Sequence, residues 1–262
     1  MTPSALYPTV ARLVRFSLPA MLAGMTVPLM GLIDVAVLGR LGDAAVIAAV
    51  GVASTVFTTI AWTFSFLRFT TTGLVSQASG RGDEEGVVVE GLRPLTAALL
   101  GGAALLALRE PLLALGLALI APEPDVAAYA GDYFRVRTLG APLTLSLYAL
   151  QAWLMGTGRP RTLLATQAFM TAVNATLSAY LVLVRGQGIA GAATATVLAE
   201  LATVAVIAAV VLRHVPFARW RAGWSRVFEA AAWRRLLSAN ADRPVAALHG
   251  EERFEEKAKR YA

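Results

Sequence analysis

Six long apolar runs are the feature that most constrains how this chain can fold. They occupy residues 16–38, 44–67, 87–108, 129–155, 163–184 and 188–212. A membrane-spanning helix needs about 20 mostly apolar residues, so each run is long enough to cross a bilayer. In hydrocarbon, backbone polar groups must pair within the protein, and an apolar run of this length does so as a helix. We therefore predict an all-α polytopic membrane protein, built as a bundle of six transmembrane helices.

The composition supports a membrane protein and argues against a soluble domain. Hydrophobic residues make up 57% of the chain and charged residues only 15%, whereas soluble domains carry about 25% charged residues. The net charge of +6 could suggest a nucleic-acid partner. The arginines, however, stand between the apolar runs instead of clustering with aromatic residues. We expect the lipid bilayer as a partner and no nucleic acid.

The positions of the arginines predict an orientation. Arg12, Arg15, Arg81, Arg159 and Arg161 fall on one side of the predicted bundle, together with several arginines that follow the sixth run. Cytoplasmic loops carry an excess of basic residues. We therefore expect a multi-pass protein of the cell inner (plasma) membrane with both termini in the cytoplasm. Residues 1–15 then form the cytoplasmic N-terminus.

Two segments with different composition follow the sixth run. Residues 213–242 place tryptophans and other apolar residues at helical spacing among arginines, which is typical of an amphipathic connector at the cytoplasmic interface. A linker helix to a further domain is an equally open alternative. Residues 243–262 are highly charged and contain the only two lysines of the chain, Lys257 and Lys259. We expect this tail to be solvated or disordered.

One carboxylate, Asp34, stands inside the first apolar run. An ionised side chain at membrane depth is costly and is retained mainly when it has a function or a partner. No basic residue inside another run is an evident permanent partner for Asp34. Nearby, Pro28 removes one helix hydrogen bond and Gly31 allows a neighbouring backbone to come close. The pattern predicts a bendable helix whose buried acid binds and releases a proton.

The other polar side chains inside the runs have structural explanations. Gln151 and Gln167 are expected to link helices, and Ser178 is expected to bond its own helix backbone. Glu200 lies in the middle of the sixth run, where a functional and a structural role are equally open. The chain has no cysteine and no serine-elbow, zinc-helix or phosphate-loop motif. We therefore expect no catalytic residue, no metal site and no cofactor.

Four stretches of the sequence carry a resemblance to a known family. They are LPAMLAGMTVPLMGLIDVAVLGRLGDAAVIAAVG, FLRFTTTGLVSQASGRGD, GAPLTLSLYALQAWLMGTGRPRT and GIAGAATATVLAE. Together they resemble the multidrug and toxic compound extrusion (MATE) transporters, in particular the DinF-like branch of that family. The resemblance extends in order from about Arg12 to Asp242.

The resemblance implies a multidrug efflux antiporter that exports amphipathic, often cationic, organic compounds. In this family two six-helix lobes face each other, and the cavity between them opens alternately to either side. An ion gradient drives transport, with H⁺ expected here and Na⁺ left open. The first-helix acid of the family matches Asp34, its fifth-helix asparagine matches Asn174, and its sixth-helix threonine matches Thr196. Protonation of Asp34 would then bend the first helix at Pro28, with Gly31 in the same hinge, and expel the substrate.

Two departures from the family pattern affect this expectation. The family carries a second aspartate four residues after the asparagine, where this chain has Ser178. Asp34 would therefore act alone, or Glu200 would take part. The resemblance also stops at Arg243, so we expect one truncated lobe that needs a C-terminal lobe or a second copy to complete its cavity. A changed reading frame would explain the different tail.

Three alternatives to an active transporter lobe stay open. The chain could be an inactive truncated fragment of such a transporter, or a lipid flippase of related architecture. It could also be a membrane-embedded enzyme, in which Asp34 and Glu200 would have to meet as acid and base.

Overall fold

The computed structural model describes residues 3–215, 217–229 and 233, and this part of the chain is built from helices without any strand. A 3₁₀ turn, Gly39–Leu41, follows the first helix, and a π-helical turn, Tyr180–Val184, follows the eighth. The α-helices are α1 (Pro3–Leu38), α2 (Ala44–Trp62), α3 (Phe66–Gly80), α4 (Glu84–Ala107), α5 (Arg109–Ile120), α6 (Pro124–Leu139), α7 (Ala141–Gly156), α8 (Pro160–Ala179), α9 (Gly188–His214) and α10 (Phe217–Val227).

Five helical segments within the described residues are long and apolar enough to cross a membrane. They overlap the first, second, third, fifth and sixth apolar runs of the sequence. The prediction of an all-α polytopic membrane protein is thereby confirmed. The segments are Val14–Leu41, Ala44–Trp62, Glu84–Ala107, Pro160–Val184 and Gly188–Arg213.

The fourth apolar run, 129–155, is divided at Gly140 into the two shorter helices α6 and α7. Pro142 lies in the first turn of α7, and because it lacks an N–H it cannot continue the hydrogen bonds of α6. The Gly140 N–H instead donates to the carbonyl oxygen of Arg137 at 3.1 Å, which tightens the turn. The regular α-helical hydrogen bonding is therefore interrupted in the middle of this run.

The second apolar run, 44–67, is divided between α2 and the start of α3, and α3 extends beyond the end of that run. Between α2 and α3 the backbone makes tight turns, in which Phe64 N donates to Ala61 O at 3.0 Å and Ser65 N donates to Trp62 O at 2.9 Å. α3 then starts at Phe66 and extends to Gly80. This continuation places the α3 side chains against α7 and α4.

The connections between helices lie at two ends of the bundle. At one end Asp83, Arg159 and Val215 line one surface pocket. At the other end Asp132 and Gly186 line a second one. These two sets of residues mark opposite ends of α9.

α7 is the central helix, since it packs on α3, α4, α8 and α9 and contributes to both apolar core clusters. Its contact with α4 is close. A Cβ atom on Gly102 of α4 would overlap the backbone of Pro142. Small residues let helices approach in this way inside a membrane, where packing takes over the role of the hydrophobic effect.

α10 is attached to α4 through the buried side chain of Arg93, which is 3% exposed. Arg93 Nε donates to the carbonyl oxygen of Val227 at 3.2 Å and Nη2 donates to that of Arg226 at 3.1 Å. Carbonyls in the last turn of a helix have no partner within the helix, and Arg93 provides one. Glu90 pairs with Arg93 at 3.0 Å. Arg226 donates to Glu85 at 3.0 Å, and this hydrogen bond raises the pKa of Arg226 above its usual value.

We expect Arg93→Met to release α10 from α4. Hydrogen bonds from a charged donor contribute about 1.5–3 kcal/mol, so local opening of α10 should become at least about tenfold more frequent. Trypsin cleavage after Arg221 and Arg226, which are both exposed, measures this opening. Arg161→Met is the control, because Arg161 is exposed at the start of α8. Equal cleavage rates in wild type and Arg93→Met would contradict the attachment.

The predicted N-terminus, connector and tail are described only in part. α1 begins at Pro3, within the predicted N-terminal segment 1–15, and residues 1 and 2 lie outside the described residues. α10 covers part of the predicted connector 213–242, and Trp220 Nε1 there donates to Val215 O at 3.3 Å. The predicted tail, 243–262, lies outside the described residues.

Candidate functional site

A cavity of about 480 Å³ lies between the helices that carry the sequence-predicted polar residues. Its volume is in the range of ligand pockets that hold a small organic molecule. Aromatic and aliphatic side chains line it together with many polar groups. The polar lining residues are Asp34, Ser54, Thr58, Arg68, Tyr133, Arg137, Thr144, Tyr148, Gln151, Gln167, Thr196 and Glu200.

α1 presents Pro28, Gly31 and Asp34 to the cavity. The three residues are spaced one helical turn apart and therefore share one face of α1. Asp34 is 5% exposed, while Leu29 and Leu32 on the other face are exposed. α1 is a continuous helix through Pro28. The missing N–H of Pro28 removes one hydrogen bond on the cavity side of α1.

Four residues from α1, α8 and α9 meet at the carboxyl group of Asp34. Thr196 Oγ1 lies 3.4 Å from Asp34 Oδ2 and donates either to it or to the carbonyl oxygen of Ala192 at 3.2 Å. Asn174 Nδ2 donates to Thr196 Oγ1 at 3.1 Å. The Ser178 hydroxyl lies beside the same carboxyl group, although it is not aligned for a hydrogen bond. The structure therefore brings together Asp34, Asn174, Ser178 and Thr196, which are far apart in sequence.

Three oxygen atoms of this group have no hydrogen-bond partner among the described residues. They are Asp34 Oδ1, Asn174 Oδ1 and Ser178 Oγ. Asn174 and Ser178 are fully buried, and an unpaired buried polar group costs about 1–3 kcal/mol. A proton on Asp34 would give the group one additional donor, and a small hard cation prefers oxygen ligands of these kinds.

Glu200 is held by Arg137 and does not join the group around Asp34. Arg137 Nη2 donates to Glu200 Oε1 at 2.7 Å and Nη1 donates to Oε2 at 3.1 Å. The Thr144 hydroxyl lies 3.0 Å from both carboxylate oxygens, and the Arg137 guanidinium lies 4.2 Å from the centre of the Phe57 ring. Bidentate pairs of this kind are among the strongest hydrogen-bonded contacts in proteins.

Arg137, like Arg68, lines the cavity but was not predicted from the sequence as a site residue. It lies in the fourth apolar run, close to Asp132 and Arg135. Gly140 has no side chain to disturb the pair: a Cβ atom there would lie 3.0 Å from Arg137 Nη1 and 3.0 Å from Glu200 Oε2. Arg137 and Thr144 stand seven positions apart in the sequence, on either side of Gly140. That spacing across a glycine was the available signal.

Gln151 and Gln167 were both expected to link helices. Gln151 does so, since its Oε1 accepts a hydrogen bond from Arg68 Nη2 of α3 at 3.1 Å. The Oε1 atom of Gln167 is buried without a partner among the described residues. Asp34, for its part, makes no ion pair among them; the buried ion pair of the cavity is that of Arg137 and Glu200.

Comparisons with known proteins agree with one another. The MatE family model matches residues 19–181. The chain is 33% identical over 232 residues to DNA damage-inducible protein F of Escherichia coli (strain K12), covering 87% of this chain and 50% of that protein. The chain therefore spans about half the length of the relatives it matches.

Two solved structures show the same fold. One is the outward-facing conformation of a multidrug resistance MATE family transporter of the MOP superfamily, with a TM-score of 0.70 and 24% identity, covering 76% of this chain and 44% of that one. The other is a MOP superfamily transporter from Pyrococcus furiosus, with a TM-score of 0.69 and 24% identity over 76% of this chain and 44% of that one.

Proposed function

The chain belongs to the MatE family of membrane transporters, and we propose that it is the N-terminal lobe of a proton-driven multidrug antiporter. Its substrates are amphipathic organic compounds that bind in the cavity, and it exports them by alternating access. H⁺ is the proposed coupling ion, and Na⁺ is the alternative for the same oxygen ligands. The gradient supplies the driving force.

The observation that carries this proposal is the position of Asp34. Its carboxyl group belongs both to the buried oxygen group and to the lining of the cavity. A proton bound there removes the charge that attracts the Thr196 hydroxyl. It also removes a negative charge from the face of α1 on which Pro28 cannot donate a helix hydrogen bond. Proton binding, helix bending and the volume of the cavity are thereby coupled through one residue.

We assign different roles to the polar residues of the cavity. Asp34 binds the proton, with Asn174, Ser178 and Thr196 as its neighbours. Glu200 keeps its partner Arg137 throughout the cycle, because their bidentate contact is buried. An enzyme in which Asp34 and Glu200 act as acid and base gains no support from this arrangement.

A complete transporter needs a surface that faces this lobe. α1 carries a row of exposed apolar side chains, which includes Met21, Met25, Leu29, Leu32 and Val35. We propose that a second lobe, from a partner chain or a second copy, completes the cavity. In this proposal the lobe lies in the inner membrane with both termini in the cytoplasm.

Transport in proteoliposomes tests the proposal. The purified chain is reconstituted at high protein density, which allows self-pairing. The proteoliposomes are loaded with rhodamine B ethyl ester, a fluorescent amphipathic cation. Dye efflux is followed with a pH gradient, with a Na⁺ gradient and with neither. We expect efflux that depends on the pH gradient. Efflux at the level of protein-free vesicles would contradict transport by this chain and favour an inactive fragment.

Ser178→Asp should strengthen the dependence of transport on pH. Ser178 is fully buried beside Asp34, and two close carboxyl groups cannot both ionise without a large cost. One of the two would therefore hold a proton over a wider pH range. The measurement is the pH profile of dye efflux, with Ser178→Asn as the uncharged control. Identical pH profiles for wild type, Ser178→Asp and Ser178→Asn would show that the polar group around Asp34 does not take part in coupling.

A further inference from the structure

Arg68 lines the cavity but belongs to neither of its two buried polar groups. It lies in the first turn of α3 and is half-buried. Its Nη2 atom donates to Gln151 Oε1 at 3.1 Å, and its guanidinium lies 5.9 Å from the centre of the Tyr148 ring. It makes no ion pair with an acidic side chain in the part of the chain that the structure describes.

Arg68 carries the charge of the cavity that is not neutralised when Asp34 is protonated. Four charged side chains line the cavity: Asp34, Arg68, Arg137 and Glu200. Arg137 and Glu200 neutralise each other through their direct contact. When Asp34 holds a proton, Arg68 is the remaining charge on the lining. In a cavity with low-dielectric walls, such a charge attracts a ligand group of opposite sign.

Arg68 also has hydrogen-bond donors to spare. A guanidinium carries five N–H donors in a planar fork that matches a carboxylate or phosphate. Only Nη2 donates to another side chain among the described residues. Phe57, Trp62 and Tyr148 line the same cavity and provide aromatic surface for the apolar part of a ligand.

We propose that Arg68 binds an acidic group of the transported compound. The substrates then include amphipathic compounds that carry a carboxylate, sulfonate or phosphate ester, zwitterions among them. This inference rests on the proposed function, because it concerns the ligand of the same cavity. It deepens that function by naming a residue of this cavity that recognises an acidic group on an amphipathic substrate.

Two dyes that differ in one group provide the test. Rhodamine B carries a free carboxylate, and its ethyl ester has the same ring system without the acid. Binding of both dyes to the full chain in detergent is measured by fluorescence anisotropy at pH 5, where the proposed mechanism has Asp34 protonated and the rhodamine B carboxylate is still ionised. The variants are Arg68→Met, Arg68→Lys and, as a control outside the cavity, Arg161→Met.

Wild type should bind rhodamine B at least about tenfold more tightly than the ester, as a charge-assisted hydrogen bond predicts. Arg68→Met should lose this preference and keep its affinity for the ester. Arg68→Lys should keep part of the preference, because a lysine still offers a point charge. Arg161→Met should bind both dyes as wild type does.

Three results would overturn the inference, and they are distinguishable. Wild type could bind the ester as tightly as rhodamine B, which would leave the proposed cavity intact and remove the role of Arg68. Arg68→Met could weaken both dyes equally, which would assign Arg68 a structural role. Wild type could bind neither dye, in which case the proposed function fails together with the inference.

Discussion

Asp34→Asn should abolish dye efflux driven by the pH gradient while it leaves dye binding intact. Asparagine has nearly the shape of aspartate and still offers an oxygen to the Thr196 hydroxyl, so the helices around it should pack as before. It cannot exchange a proton, however, and the coupling between the gradient and α1 is lost. We expect gradient-dependent efflux to fall at least about tenfold. Proton binding can drive transport only if the proton binds one conformation of the protein more tightly than the other.

Asp43→Asn is the matched control for Asp34→Asn. Asp43 is an acid only nine residues further along, but it lies outside the cavity and accepts a hydrogen bond from Ala45 N at the start of α2. Asparagine caps a helix as well as aspartate does, so this variant should transport like wild type. Gradient-driven efflux by Asp34→Asn at the wild-type rate would remove Asp34 from the coupling mechanism.

Glu200→Leu should be strongly destabilising because it leaves Arg137 buried without a counter-charge. Loss of one partner of a buried ion pair costs about 3–5 kcal/mol, whereas replacement of both partners by apolar residues is often neutral. The double variant Arg137→Met/Glu200→Leu should therefore recover most of the free energy of unfolding that each single variant loses. Denaturant unfolding of the chain in detergent gives the four values of this double-mutant cycle.

The contact between Arg135 and Glu110 is the control for the buried pair. Its side chains lie 3.2 Å apart but are 48% and 51% exposed, and exposed ion pairs contribute about 0–1 kcal/mol. Glu110→Leu should thus change the free energy of unfolding by less than about 1 kcal/mol. A similar small change for Glu200→Leu would contradict the assignment of Glu200 and Arg137 as a permanent pair.

The fold was predictable because it depends on features that lie within single segments. Each of the five segments that are long and apolar enough to cross a membrane overlaps an apolar run of the sequence. The break of the fourth run was less evident. It depends on Gly140 and Pro142 together, and proline near the middle of an apolar run also occurs in continuous membrane helices. α1, for example, passes through Pro28 unbroken.

The sequence predicted the polar group around Asp34 better than it predicted the ion pair of Arg137 and Glu200. Asp34 was identified because an acid inside an apolar run is costly. Arg137 was missed because it lies close to Asp132 and Arg135 in sequence, although the Arg135 side chain is 48% exposed and that of Arg137 only 11%. Two positions apart on a helix, these arginines face different sides. Only the packing of α6 on α2 and α9 determines which of them is buried.

In the proposed mechanism, Asp34 is the residue that binds and releases the coupling proton. Infrared difference spectroscopy of the purified chain between pH 8 and pH 5 measures this directly, through the carbonyl stretch of a protonated carboxyl group. We predict a band in wild type and in Asp43→Asn that is missing from Asp34→Asn and is diminished when Na⁺ occupies the same oxygens. An unchanged band in Asp34→Asn would show that another carboxyl group takes up the proton and would contradict the proposed coupling mechanism.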